Sequence, residues 1–67
     1  RMEVMINGAS REVSEQMSLD QAVSLFSTSA TGVAVAVNGD VVRRASWPEH
    51  LLGPGDEIEV LTAVQGG

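Results

Sequence analysis

The chain predicts an α+β domain, a mixed sheet of four to five strands packed on one helix. Three observations predict it. Two Asn-Gly dipeptides, Asn7-Gly8 and Asn38-Gly39, each follow an apolar strand-like run and mark a hairpin. One stretch of helical periodicity, opening Ser18-Leu19-Asp20-Gln21, lies between them. A last alternating run, Glu57 to Thr62, follows the tight-turn sequence Gly53-Pro54-Gly55-Asp56.

The elements follow in order. In MEVMIN, Met2, Val4 and Ile6 share one face and Glu3, Met5 and Asn7 the other, which is the pattern of a half-buried strand. A type I′ turn needs positive φ at both central residues, and Asn-Gly supplies it, so Ala9 to Val13 is the return strand. Ser18 and Gln21 form a capping box, in which each side chain satisfies a backbone N–H at the other residue. Asp20 in the first turn suits the helix dipole. Leu19, Ala22, Val23 and Phe26 make the inward stripe, with Leu25 at its edge, and the helix fades through Ser27-Thr28-Ser29. VAVAV at 33–37 is apolar on both faces, so it predicts a central strand. Val41-Val42 is its return strand. Ser46-Trp47-Pro48-Glu49 reads as one short helical turn with a serine-to-glutamate cap. In the last strand Ile58 and Val60 point inward. One helix covers one sheet face, and two hairpins flanking it give the β-grasp arrangement of ubiquitin-like domains. Residues 1–62 form this domain, and 63–67 are a flexible tail.

With 67 residues the chain is one domain at most. A domain of this size has a stability on the order of 3–10 kcal/mol and little room for an enclosed active site. A carrier, adaptor or binding module fits better than an autonomous enzyme. Nine acidic residues against four basic ones give a net charge of −5, which repels nucleic acid and suits a basic protein partner. There is no cysteine, which excludes a disulfide framework, a thiolate metal site and a carrier thiol. There is no lysine, so no side chain can accept an isopeptide bond. No apolar run reaches membrane-spanning length, and the expected location is the cytoplasm. Arg1 is read as a remnant ahead of a natural start at Met2.

The run TAVQGG puts two bare glycines, Gly66 and Gly67, just after a strand. Gly-Gly at a given position arises by chance about once in two hundred. The segments AVAVNGDVV, SWPEHLL and GPGDEIEVLTAVQGG resemble the ThiS family of thiamine-biosynthesis sulfur carriers. That family carries a VNG hairpin, an arginine-containing segment, a Trp, a GD turn, an I-E-V strand and a terminal Gly-Gly. The match is close over the last half of the chain and by pattern over the first. Arg43 stands where many relatives have proline.

The resemblance implies that the Gly67 carboxylate is adenylated by a ubiquitin-activating-type enzyme and then converted to a thiocarboxylate. A cysteine desulfurase system supplies the sulfur and thiazole synthase receives it. ATP and magnesium belong to the activating partner, and this chain binds no cofactor. Extended, residues 63–67 reach roughly 17 Å, and glycine at 66 and 67 lets the backbone pass a narrow channel. The expected docking patch is Leu61 and Val64, with Glu57 and Glu59 as rim charges. The free chain is expected to be a monomer.

Competing readings attach to each residue. The glycines are a frayed end in a non-reactive β-grasp module, or the end of a ubiquitin-like tag. The small subunit of molybdopterin synthase also ends in Gly-Gly and is the alternative carrier. His50 stands alone and is a surface residue. Trp47 packs the short turn onto the sheet rather than anchoring a partner. Glu57 and Glu59 are otherwise the solvated face of the last strand, Asp56 caps its turn, and Arg43 and Arg44 lie on a solvated edge.

Overall fold

The computed structural model describes residues 1–26 and 32–62. The first hairpin is β1 (Met2–Ile6) and β2 (Ala9–Val13), followed by α1 (Leu19–Phe26). The second is β3 (Val33–Val37) and β4 (Asp40–Val42), followed by a 3-10 helix (Arg44–Glu49) and β5 (Glu57–Thr62). The strand order is β2-β1-β5-β3-β4. The last strand therefore inserts between the two hairpins, parallel to β1 and antiparallel to β3.

Both turns have the backbone that Asn-Gly predicts. Asn7 and Asn38 lie at φ 50 and 53, and Gly8 and Gly39 at φ 82 and 88. An unbranched polar side chain tolerates the first position and glycine the second. The capping box forms in full. The Gln21 N–H donates to Ser18 Oγ at 3.1 Å, and the Ser18 N–H donates to Gln21 Oε1 at 3.0 Å.

The core lies between α1 and one sheet face. Val4, Leu19, Val35 and Ile58 are its fully enclosed side chains. Met2, Ile6, Val13, Ala22, Val23, Val37, Trp47 and Leu52 complete it, and Val60, Val33, Val42 and Met17 pack on its margin. At about 25 cal/mol per Å², burying side chains of this size gives roughly 1.5–3 kcal/mol each for the larger ones.

Two expectations need correction. Phe26 is not an inward core residue. It is the last residue of α1 and sits at the sheet margin, where the Arg11 guanidinium of edge strand β2 lies 5.4 Å from its ring centre. The strand β3 is central as predicted, paired with β5 on one side and β4 on the other. Val35 and Val37 are buried, but Ala34 is exposed and Ala36 half-buried, because α1 covers only one side of the sheet. Ser46 does not cap the short helix. That helix opens two residues earlier, when Arg43 O accepts the Ser46 N–H at 2.8 Å, and Ser46 falls inside it.

Trp47 is 3% exposed, and its indole N–H donates to Val42 O at 2.9 Å. It packs the short helix onto β4, and the Arg44 guanidinium lies 5.6 Å above its ring. Arg43 has φ −65 and ψ 143. That is a backbone proline also adopts, so the departure from the family pattern changes the side chain and not the path. The predicted fade of α1 at Ser27-Thr28-Ser29 lies outside the described residues.

Candidate functional site

The tail emerges from β5, so the site is built from that strand. Its alternation divides its side chains between two environments. Ile58 is buried and Val60 packs on the core, whereas Glu57, Glu59 and Leu61 are exposed on the opposite face. Register carries that outer face across the sheet. Glu59 pairs with Ala36 and Leu61 with Ala34 on β3, and Ala36 pairs with Val41 on β4. On the other side, Glu57 pairs with Met5, and Glu3 pairs with Glu12. The outer face thus has an apolar strip of Leu61, Ala34, Ala36 and Val41, bordered by the carboxylates of Glu57 and Glu59. Leu61 is 62% and Val41 77% exposed.

Two of the predicted docking residues, Glu57 and Glu59, therefore share a face with Leu61. Val64, Gly66 and Gly67 lie outside the described residues, as does the predicted tail at 63–67. Asp56 caps its turn as expected, its Oδ2 accepting the Gly53 N–H at 2.7 Å. His50 is half-buried, and its carbonyl accepts the Leu19 N–H at 2.8 Å. Among the described residues no group of three His, Asp or Glu side chains is placed to hold a metal ion, and no pocket is formed. Nor is any helix among them long and apolar enough to cross a membrane.

The backbone of β5 is held at both ends by asparagine side chains. At its start, Asn38 Oδ1 accepts the Glu57 N–H at 3.0 Å while the Asn38 N–H donates to Glu57 O at 2.7 Å. Asn38 Nδ2 also donates to Asp56 Oδ1 at 3.1 Å. Near its end, Asn7 Oδ1 accepts the Val60 N–H at 2.8 Å, and Asn7 Nδ2 donates to Val60 O at 3.3 Å. These contacts are missing from the sequence reading, which treats both asparagines as turn formers. Their signal is the choice of Asn over Gly or Asp, since only a carboxamide offers both an acceptor and donors.

The model of the ThiS family matches residues 4–67, from β1 through both terminal glycines. The chain belongs to the ThiS family. It is 23% identical over 66 residues to the sulfur carrier protein ThiS of Escherichia coli K12, covering 98% of this chain and all of that one. The crystal structure of the thiamine biosynthesis protein ThiS from Geobacter metallireducens superposes with a TM-score of 0.85 at 29% identity, covering 98% of this chain and all of that one. A solution structure of a thiamine biosynthesis protein from the same organism gives 0.78 at 26% identity, over 98% and 88% of the two chains. These matches agree with the β-grasp fold and with its ThiS resemblance. The chain is also 27% identical over 66 residues to a thiazole synthase of Paramagnetospirillum magneticum, where it spans only 20% of that protein.

Proposed function

We propose that this chain carries sulfur for thiazole formation as a thiocarboxylate on Gly67. As a ThiS-family member it is a sulfur carrier of thiamine biosynthesis rather than a catalyst. The observation that supports the terminal chemistry is the family match running through Gly66 and Gly67. A carboxylate is a poor electrophile. A Gly67 carboxylate oxygen attacks the α-phosphorus of ATP, pyrophosphate leaves, and an acyl adenylate forms. Hydrosulfide-level sulfur then attacks the carbonyl carbon and AMP leaves, so the carboxylate has exchanged one oxygen for sulfur. No thiol is needed on the carrier, and the chain has no cysteine.

The adenylating enzyme holds ATP and magnesium, and a cysteine desulfurase system provides the sulfur as a persulfide, which a thiol reductant brings to the hydrosulfide level by supplying two electrons. Thiazole synthase is the proposed acceptor. Support comes from the thiazole synthase that contains a segment similar to this chain within its own polypeptide. That match favours delivery to thiazole over delivery to molybdopterin. The requirement for ATP and reduced sulfur assigns the reaction to the cytoplasm. The apolar strip around Leu61 and the acidic border of Glu57 and Glu59 form the proposed docking face, and Val64 is proposed as a further docking residue.

Intact mass spectrometry tests this reading. The chain is incubated with the activating enzyme, ATP and a sulfur donor, beside a version carrying one extra residue after Gly67. Exchange of one oxygen for sulfur at Gly67 is expected in the first and none in the second, with identical circular dichroism. An unmodified Gly67, or full conversion of the extended chain, would overturn it.

A further inference from the structure

We propose that Asn7 is a positioning residue for the reactive tail, a role that rests on the carrier chemistry above. The parallel ladder between β1 and β5 has only two pairs, Met5 with Glu57 and Ile6 with Ile58. The Asn7 N–H then donates to Ile58 O at 2.9 Å, and the chain turns away at Asn7-Gly8 into β2. The next polar groups on that edge of β5 are the N–H and C=O of Val60. Among the described residues no strand backbone meets them on that side. The Asn7 carboxamide meets both, at 2.8 and 3.3 Å. It acts as one further peptide unit, extending the ladder two residues toward the tail.

The residue type follows from two demands at one position. The turn needs positive φ, which Asn tolerates better than most side chains. The ladder needs one acceptor and one donor at the reach of a short side chain. Aspartate supplies no donor, glycine supplies neither, and both would serve the turn. Val60 directly precedes Leu61, the apolar centre of the outer face, and stands seven positions before Gly67. Holding Val60 therefore fixes the direction in which β5 launches the tail relative to the face that docks. Delivery of a reacting atom is sensitive to such placement, since a shift of about 1 Å can cost on the order of 100-fold in rate.

The Asn38 side chain supplies the internal control. It also bonds β5 from a type I′ turn, but at Glu57, the end remote from the tail. Asn7→Gly and Asn38→Gly each keep positive φ accessible and each delete a carboxamide. Two readouts are compared with the unaltered chain. One is amide hydrogen exchange at Val60. The other is kcat and KM for adenylation with the carrier as varied substrate, followed by pyrophosphate release. For Asn7→Gly, Val60 exchange should rise at least tenfold and kcat fall about tenfold, with KM within twofold, because docking is intact and only the tail is misdirected. For Asn38→Gly, kcat should stay within twofold. Asn7→Asp, which keeps the acceptor and loses the donor, carries the same test if the glycine variant does not fold. An unchanged kcat in the Asn7 variant, an equal fall in the Asn38 variant, or unchanged Val60 exchange would overturn the role. Absence of turnover by the unaltered chain overturns the carrier chemistry and this role together, whereas turnover with an unaffected Asn7 variant overturns the role alone.

Discussion

The two faces of β5 belong to one strand but answer to different demands. On the inner face Ile58 is 1% exposed and Val60 packs beside it. On the outer face Glu57, Glu59 and Leu61 are exposed, and none of the described helices covers them. Side-chain period 2 makes the division strict, and a one-residue slip would exchange the two sets. The inner residues are explained by burial alone. A glutamate is equally well explained by solvent. Leu61 is explained by neither. A lone exposed leucine is ordinary, but this one lies opposite Ala34, with Ala36 and Val41 on the same face. Folding leaves this strip unused. On the proposed docking face, stability and recognition lie on opposite sides of one strand, so each should be alterable without the other.

The largest effect should come from the inner face. Ile58→Ala removes a fully buried side chain at the centre of the sheet, where β1 and β3 flank it. Such truncations cost about 2–5 kcal/mol through lost transfer energy and the cavity left behind. A domain of this size has on the order of 3–10 kcal/mol in all. Thermal unfolding should drop by roughly 10–40 °C, given about 4–8 °C per kcal/mol for a small domain. At a temperature where the variant is still folded, its affinity for the activating enzyme should be unchanged. A weaker complex formed by folded variant would mean that the two faces are coupled.

Much of this division was legible before the structure. The bounds of β2 and β5 follow from turn residues on either side of alternating runs, and the capping box of α1 forms as its spacing predicts. Local chemistry decides such features, so local sequence reports them. One miss is local, since the short helix opens at Arg44 rather than at Ser46; the others are tertiary. Phe26 fits the helical stripe, but the helix ends there and the margin of the sheet offers it Arg11 instead of the core. The bond from Asn7 to Val60 spans 53 positions, and no local pattern contains it. Gly66 and Gly67 are legible as chemistry but not as geometry.

The next effect should come from the outer face. Leu61→Ala removes exposed apolar area from the proposed docking strip, and Val64→Ala removes the second proposed apolar docking residue. Burying a side chain of this size is worth roughly 1.5–3 kcal/mol, and partial burial at an interface gives a part of that. Each variant should bind the activating enzyme about tenfold more weakly, which is about 1.4 kcal/mol. Its melting temperature should match the unaltered chain. Calorimetric titration checks the affinity and thermal unfolding checks the control. If both variants bind normally, the strip is not the docking site. If Leu61→Ala also melts early, Leu61 belongs to the fold and the contrast between the faces fails.

The smallest effect should come from the charges beside that strip. Glu59 is exposed and pairs across the sheet with Ala36, so Glu59→Gln changes charge with almost no change in shape or packing. Rim charges act chiefly on the rate of encounter, because they attract a partner before contact is made. The net charge of −5 suits a basic surface, and removing one carboxylate weakens that attraction only in part. The association rate should fall about two- to threefold at low salt, with the dissociation rate unchanged. At 0.1 M salt and above, interactions between exposed charges are screened within about 10 Å, so the difference should shrink toward zero. Stopped-flow association at low and high ionic strength distinguishes the possibilities. A deficit that persists at high salt would show that Glu59 makes a close, desolvated contact with the partner, and would move it from the border of the docking face to its centre.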